Sequence, residues 1–345
     1  MMSKTFYKLS FILLIISFGC SKDELEGPLL NEIFGNFQLN SALTISNNSP
    51  DFSTSNELVK FHCDFNKSIE WKIAILGLES GSLKEISGFS NVIDSNEVSW
   101  NGNTSQVPFF KKELCAVELT FLNEVDTLRD TINILETKTY DGIVVADFEN
   151  GIPPEAIVFH QFSMNMTFEL SDDDPLEGNN YFKMGGRMGW NEWFLGSLDI
   201  PLDLTSVNSP ANDFYINLGV LSGINGETAS DQFINILVSE STYPFNDDLS
   251  NNASDVFQDT MEVYKYQIRP VDWDGWKMIS LSYDQFEVKS SGGNNLREPK
   301  NITAIKIQCQ SCPGANANCP GNMAIDVRTD VDFLILTQGS DLLSQ

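Results

Sequence analysis

Two pairs of carboxylates stand two residues apart in this sequence, Asp147 with Glu149 and Asp330 with Asp332. Each pair lies in a run that reads as a strand, where residues i and i+2 share a face. Each face therefore presents hard oxygen donors, the kind that calcium gathers in sets of about six to eight. A second group is aromatic: Tyr181, Trp190, Trp193, Trp273 and Trp276. Flat π faces pack on the apolar faces of pyranose rings while nearby polar groups bond the hydroxyls. Trp190 and Trp193 follow a glycine-rich run, Lys183 to Gly189, and Arg187, Asn191 and Asp272 are the hydrogen-bonding groups beside the tryptophans. Trp276 opens an alternating run and reads as core. Asp272-x-Asp274-Gly275 has part of a calcium-loop spacing, but the rest of the pattern is missing and a turn is the better reading.

Three cysteines, Cys309, Cys312 and Cys319, surround a loop of small residues. Zinc would need a fourth ligand, and the chain holds only His62 and His160. A local disulfide fits better; Cys312 with Cys319 is the simplest closure, and the pairing among the three stays open. No Gly-x-Ser-x-Gly, His-Glu-x-x-His, phosphate loop or cofactor signature is present. A glycosidase carboxylate pair is the remaining catalytic reading, and an enzyme ranks last among the functions considered. The formal net charge of −27 disfavours nucleic acid, whose binding depends on Lys and Arg neutralising phosphates.

The elements that must position these residues are short alternating or apolar runs punctuated by Gly, Asn, Ser and Pro, with no long amphipathic helical pattern. The chain reads as all-β. Candidate strands run over Phe37–Ile45, Leu58–Phe65, Ile69–Leu78, Glu97–Trp100, Cys115–Leu122 and Asp126–Leu135, then Ile143–Phe148, Val158–Leu170, Tyr181–Met184, Trp193–Asp199, Phe214–Val220, Gln232–Ser239, Met261–Ile268, Lys277–Ser282, Ala304–Cys309, Met323–Arg328 and Val331–Leu336. Lys138 to Gly142 reads as a linker between two domains, 36–138 and 143–340, as the length of 345 residues also favours. At the start, Lys4 and Lys8 precede an apolar stretch, Leu9 to Phe18, too short to span a bilayer, and Gly19 supplies the small residue before a cleavage point. Residues 1–19 are expected to be a signal peptide.

Ser17-Phe18-Gly19-Cys20 resembles a bacterial lipobox, which implies that Cys20 carries a lipid and that residues 20–35 are a tether. Ser21-Lys22-Asp23-Glu24 resembles the tag that sends Bacteroidetes-type lipoproteins to the outer face of the outer membrane; a solvated tether explains it equally well. Cys63, Trp71 and Cys115, in that order, resemble an immunoglobulin-like sandwich, as do Ser80 to Ser90 and Val98 to Gly102. That resemblance implies a Cys63–Cys115 disulfide with Trp71 packed on it. Trp100 reads as a core-capping strand residue. Val144 to Gly151, Trp276 to Phe286 and Thr329 to Ile335 resemble the galactose-binding-like jelly rolls found as carbohydrate-binding modules. Such folds often hold a calcium ion where first and last strands meet, which implies Glu149 and Asp332 as ligands, with Asp147 and Asp330 beside them.

The resulting expectation is an outward-facing, lipid-anchored outer-membrane protein that binds a polysaccharide or oligosaccharide without catalysis and works with outer-membrane transport proteins. A structural or adhesive lipoprotein that binds a protein partner is the alternative. An exposed aromatic platform distinguishes the first, a broad apolar patch the second.

Overall fold

The computed structural model describes residues 35–54, 57–160, 166–187, 194–222, 232–241, 261–311 and 326–344. These residues are all-β: strands and single-turn 3-10 segments, with no α-helix among them. The first sandwich contains β1 (Thr44–Ile45), β2 (Val59–Gly77), β3 (Leu83–Ile93), β4 (Ser99–Trp100), β5 (Leu114–Phe121) and β6 (Thr127–Asn133). Two expected strands, Leu58–Phe65 and Ile69–Leu78, are one. β2 pairs with β1 and β4 through its first part, with β5 through its second and with β3 through both, across a register shift between Asp64 and Ile69. Its period-2 pattern buries Val59, Phe61, Cys63 and Phe65, then Ile69, Trp71, Ile73 and Ile75. β3 was not among the expected strands. Gly88 on it is required because a Cβ there would overlap the Trp71 indole, whose Nε1 donates to Ser90 Oγ at 2.9 Å.

The expected disulfide is corrected: Cys63 and Cys115 are both free and buried. Register keeps them apart, since Cys63 lies opposite Ile93 near the start of β2 and Cys115 opposite Gly77 at its end. Burial pushes the Cys115 thiol up to about 12, so it is not a nucleophile. Trp100 is core, as read: Phe52 and Phe110 meet its ring at 4.8 and 5.0 Å.

The second sandwich contains β7 (Ile143–Ala146), β8 (Ile157–His160), β9 (Met166–Ser171), β10 (Tyr181–Arg187), β11 (Phe194–Pro201), β12 (Phe214–Ser222), β13 (Gln232–Ser239), β14 (Glu262–Ile268), β15 (Gly275–Ser282), β16 (Glu287–Ser291), β17 (Ala304–Ser311) and β18 (Asp326–Gln338). One sheet has the order β15-β12-β18-β10-β9 with β7 on β18, and the other β16-β14-β13-β17-β11-β8. Every pairing is antiparallel, and one apolar core draws side chains from both sheets. The expected strand Val158–Leu170 is two strands, β8 and β9, in different sheets. The last two expected strands are one, β18, and β16 was not foreseen.

β18 is bulged. Asn217 and Gly219, two apart on β12, face Ile335 and Asp332, three apart on β18, and Phe333 takes a φ of 45°. The extra residue shifts the phase, so Val331, Leu334 and Leu336 enter the main core while Phe333 and Ile335 turn outwards. There they meet Phe109 and Tyr140 from the first sandwich and the linker. Phe109 N also donates to Leu176 O at 3.3 Å. Tyr140, in the region read as a linker, thus packs on both Phe109 and Phe333.

Candidate functional site

Alternation along the second sheet sends Leu198, Ile200, Ile234, Ile236, Ile305 and Ile307 into the core. Their neighbours point to the opposite face, where polar side chains stand among apolar ones such as Phe233, Leu237 and Ala304. Cross-strand register aligns Phe159 on β8, Ser197 on β11, Gln308 on β17, Asn235 on β13 and Gln267 on β14 in a single row. A parallel row runs through Ile157, Asp199, Lys306, Leu237, Lys265 and Glu287. On the other side lie Phe194, Gln310 and Phe233.

The central row opens to solvent at Gln267 and sinks towards β17, where Gln308 is only 2% exposed. Gln267 Nε2 donates to Asn235 Oδ1 (2.9 Å), Asn235 Nδ2 to Gln308 Oε1 (3.4 Å) and Gln310 Nε2 to the same Gln308 oxygen (3.1 Å). Ser197 Oγ donates to Asp199 Oδ1 at 2.8 Å, and Lys306 Nζ lies 2.9 Å from Asp199 Oδ2. Burial holds the Asp199 carboxyl above its ordinary range, although Lys306 and Ser197 pull it down. Aromatic rings border the rows: Phe159 and Phe194 stack at 5.7 Å and 3°, and the Arg269 guanidinium lies 4.6 Å from the Phe233 ring centre. Each carboxamide has two donors and an acceptor, so an array held by its own bonds presents fixed directions to a ligand rich in hydroxyls.

Trp190, Asn191, Trp193, Cys312, Cys319 and Cys20 lie outside the described residues. Arg187 ends β10, exposed, with Asp326 at 3.5 Å. Trp273 packs on the core, donates from Nε1 to Val220 O at 3.3 Å and has Lys277 over its ring at 4.6 Å; Asp272 beside it is exposed. Tyr181 is fully buried, edge-on to Trp276 at 5.4 Å, and accepts from Arg328 Nη2 at 2.7 Å. Neither Trp273 nor Tyr181 offers a free ring face.

The carboxylate pairs are separated by what they hold. Asp330 Oδ2 takes Arg328 Nε at 2.5 Å and its Oδ1 takes Met184 N at 3.0 Å. Asp332 accepts from the backbone N–H groups of Leu176, Glu177 and Phe333. Glu149 accepts from Asn179 N, Asn179 Nδ2 and Asn180 N. Gly178, at φ 58°, lies so close to that carboxylate that any Cβ would overlap it. Asp147 Oδ1 accepts from Glu149 N at 3.2 Å. Glu149 and Asp332 therefore anchor one loop, 174–180, from both ends. That loop brings in Glu177, which sequence reasoning missed: burial first, then the charges of Glu149 and Asp147, push it up to about 7. Burial likewise pushes Asp332 up to about 8, with Glu177 adding to the rise. Among the described residues, no three His, Cys, Asp or Glu side chains converge as a metal-ligand set. The oxygens of Glu149 and Asp332 instead receive N–H donors, so the fit to a preformed ion cage is poor.

No protein-family model and no curated protein matches the chain. Among solved structures it is similar to SGBP-B from a complex xyloglucan utilization locus in Bacteroides uniformis, with 11% identity over 88% of this chain and 73% of that one and a TM-score of 0.35. It is also similar to the N-terminal CBM22-1-CBM22-2 tandem domain of Paenibacillus barcinonensis Xyn10C, with 10% identity, 91% and 94% coverage and a TM-score of 0.32. An exo-beta-agarase matches 59% of this chain and 26% of its own length at 12% identity and a TM-score of 0.33. Likeness at this level assigns no function.

Proposed function

We propose that this is a surface lipoprotein, anchored through Cys20 in the outer membrane, that binds an extracellular glycan without transforming it. The observation that carries the glycan reading is the row Ser197, Gln308, Asn235 and Gln267 on the sheet face turned away from the core. Carboxamides that hold one another in register on this face form an array of donors and acceptors with fixed directions. Hydroxyl-rich ligands match them, and bordering rings suit the apolar faces of sugars. Trp190 or Trp193 as the stacking residue, with Arg187 and Asn191 as hydrogen-bonding groups, remain part of this proposal. The xyloglucan and xylan-binding names of the similar structures make those polymers sensible first probes.

The test is calorimetric titration of the protein with xyloglucan, xylan, mannan and β-glucan, then of Gln308→Ala and Asn235→Ala. Binding of at least one polymer, weakened about tenfold or more in both variants while the melt stays cooperative, is the expected result. One lost hydrogen bond of about 1.4 kcal/mol corresponds to that factor. If no polymer binds and a protein partner is recovered from cells, the adhesive reading takes its place. For the anchor, Cys20→Ala is expected to leave the membrane fraction; continued association would remove the lipid from the proposal. The calcium expected at Glu149 and Asp332 is not carried into the proposal, because their oxygens already accept N–H donors.

A further inference from the structure

The chain enters the first sandwich at one end and leaves it at the other. At the entry end Phe37 lies against Phe121 and Phe65, with 4.7 and 6.0 Å between ring centres. Asn66 Nδ2 donates to Asn36 O at 2.9 Å, and Lys67 Nζ lies 3.0 Å from Glu124 Oε1 in the β5–β6 hairpin. β6 then carries the chain along the sheet, away from that hairpin and towards the linker, where Phe109 and Tyr140 meet Phe333 of the second sandwich. Three large apolar side chains stand in solvent at the entry end: Phe89 at 74% exposure, Leu122 at 55% and Val125 at 97%. Phe89 pairs with Glu70 on one side, and Leu122 N donates to Glu70 O on the other, so the two apolar residues flank Glu70 on one sheet face. Val125 follows at the tip of the hairpin that Leu122 opens. The half-exposed Leu76, Leu78 and Leu114 belong to the opposite end, beside the β2–β3 turn and nearer the second sandwich.

Single exposed apolar residues are ordinary. Three at one tip, at the point where the chain from Cys20 arrives, share a neighbour that could cover them. Residues 20–34 separate Cys20 from Gly35 and reach about 50 Å at most when fully extended. We infer that Phe89, Leu122 and Val125 form a membrane-docking surface, which rests in the headgroup region of the bilayer and turns the second sandwich away from it. The inference rests on the lipid anchor at Cys20 proposed above. Three side chains alone partition weakly, but a tether of this reach keeps the bilayer at a high effective concentration beside them, so a weak contact becomes a persistent one. Charged groups at this end include Lys67, paired with Glu124, and the exposed Glu70 and Asp126. Carboxylates gain nothing from hydrocarbon, so the contact stops at interfacial depth and favours lipid without net charge over anionic lipid.

The experiment reconstitutes the lipidated full chain into phosphatidylcholine vesicles, checks flotation, and measures amide hydrogen exchange against the unanchored Cys20→Ala protein in solution. Amides of residues 122–126 are expected to exchange about tenfold or more slowly on the vesicles, while the exposed turn 272–275 of the second sandwich exchanges at the same rate in both. A triple variant, Phe89→Ser with Leu122→Ser and Val125→Ser, is expected to float as the wild type does and to lose the protection. Val125→Asp, at the most exposed of the three positions, carries the test alone if the triple variant does not fold. Adding phosphatidylglycerol to the vesicles is expected to weaken the protection, and raising the salt to restore it. A wild type that floats without protection at 122–126, or a variant that floats and keeps it, would overturn the inference and leave the anchor standing. Stronger protection on the anionic vesicles would also overturn it, because charge and not apolar contact would then hold this end. A wild type that does not float removes the lipid anchor and this inference with it.

Discussion

The rings of Phe109 and Phe333 meet edge-on, 5.5 Å between centres and 72° apart, and they belong to different sandwiches. Tyr140 completes the contact at 5.1 and 6.1 Å from the two rings. Phe109→Ala is expected to remove this contact at a cost of about 3 kcal/mol or more, the usual range for a buried phenylalanine. Scanning calorimetry reads the result, because domains that unfold together in the wild type should unfold in two separate transitions in the variant. A single, unshifted transition in Phe109→Ala would mean that the cluster joins nothing.

Asp332 and Glu177, raised to about 8 and about 7 mainly by burial, hold protons in the folded protein that the unfolded chain releases near pH 4. The folded state then binds more protons, so their contribution is complete below about pH 4 and is lost as pH rises through 7 to 8. In chelator, the melting temperature is expected to fall between pH 5.5 and pH 8, and Asp332→Asn to flatten that slope. An equal melting temperature at the two pH values would contradict this account.

Glu113 holds the β2–β3 turn by three bonds, from Glu79 N, Ser80 N and Ser80 Oγ, and accepts a fourth from Lys111 N. Burial raises its carboxyl, but these donors together pull it below the ordinary value. Its stabilisation is therefore present above about pH 4.3 and drains away as pH falls through the lower folded value. Glu113→Gln is expected to cost about 2 kcal/mol in a urea melt at pH 7, and the difference should shrink in acid. Equal stability at pH 7 would contradict this account of the turn.

Cys63 and Cys115 predict a redox result. Denatured without reductant, the protein should let both thiols react with iodoacetamide, as mass spectrometry of the peptides would show. Resistance of both until a reductant is added would restore the disulfide.

Strand identity was legible in short apolar-rich runs such as Gln232–Ser239, buried along its whole length, which the sequence reading matched residue for residue. It was not legible in β3, where Glu85, Ser87, Phe89 and Asn91 face solvent, no residue before Ile93 is fully buried, and pairing with β2 supplies most of the structure. Long strands were cut at polar residues, as at Asn66 to Ser68 in β2. The polar face was present in the alternation Ile305, Lys306, Ile307, Gln308, Cys309, Gln310, but such a pattern ordinarily means a solvent face. Only the cross-strand register shows that the polar residues of three strands meet and are buried. Tryptophans drew attention because of their chemistry, yet Trp273 and Trp276 spend theirs on backbone carbonyls, Val220 O and Asp174 O.

The bulge at Phe333 gives the union of the two domains an unusual dependence on chain length. One residue in excess on β18 separates the part of the strand that closes the core from the part that turns Phe333 towards Phe109. Deleting that residue would not shorten the contact; it would rotate half the strand and present the wrong side to the neighbouring domain. Joining here is a matter of parity, and a related chain with one residue fewer in this strand should carry its two sandwiches as independent bodies.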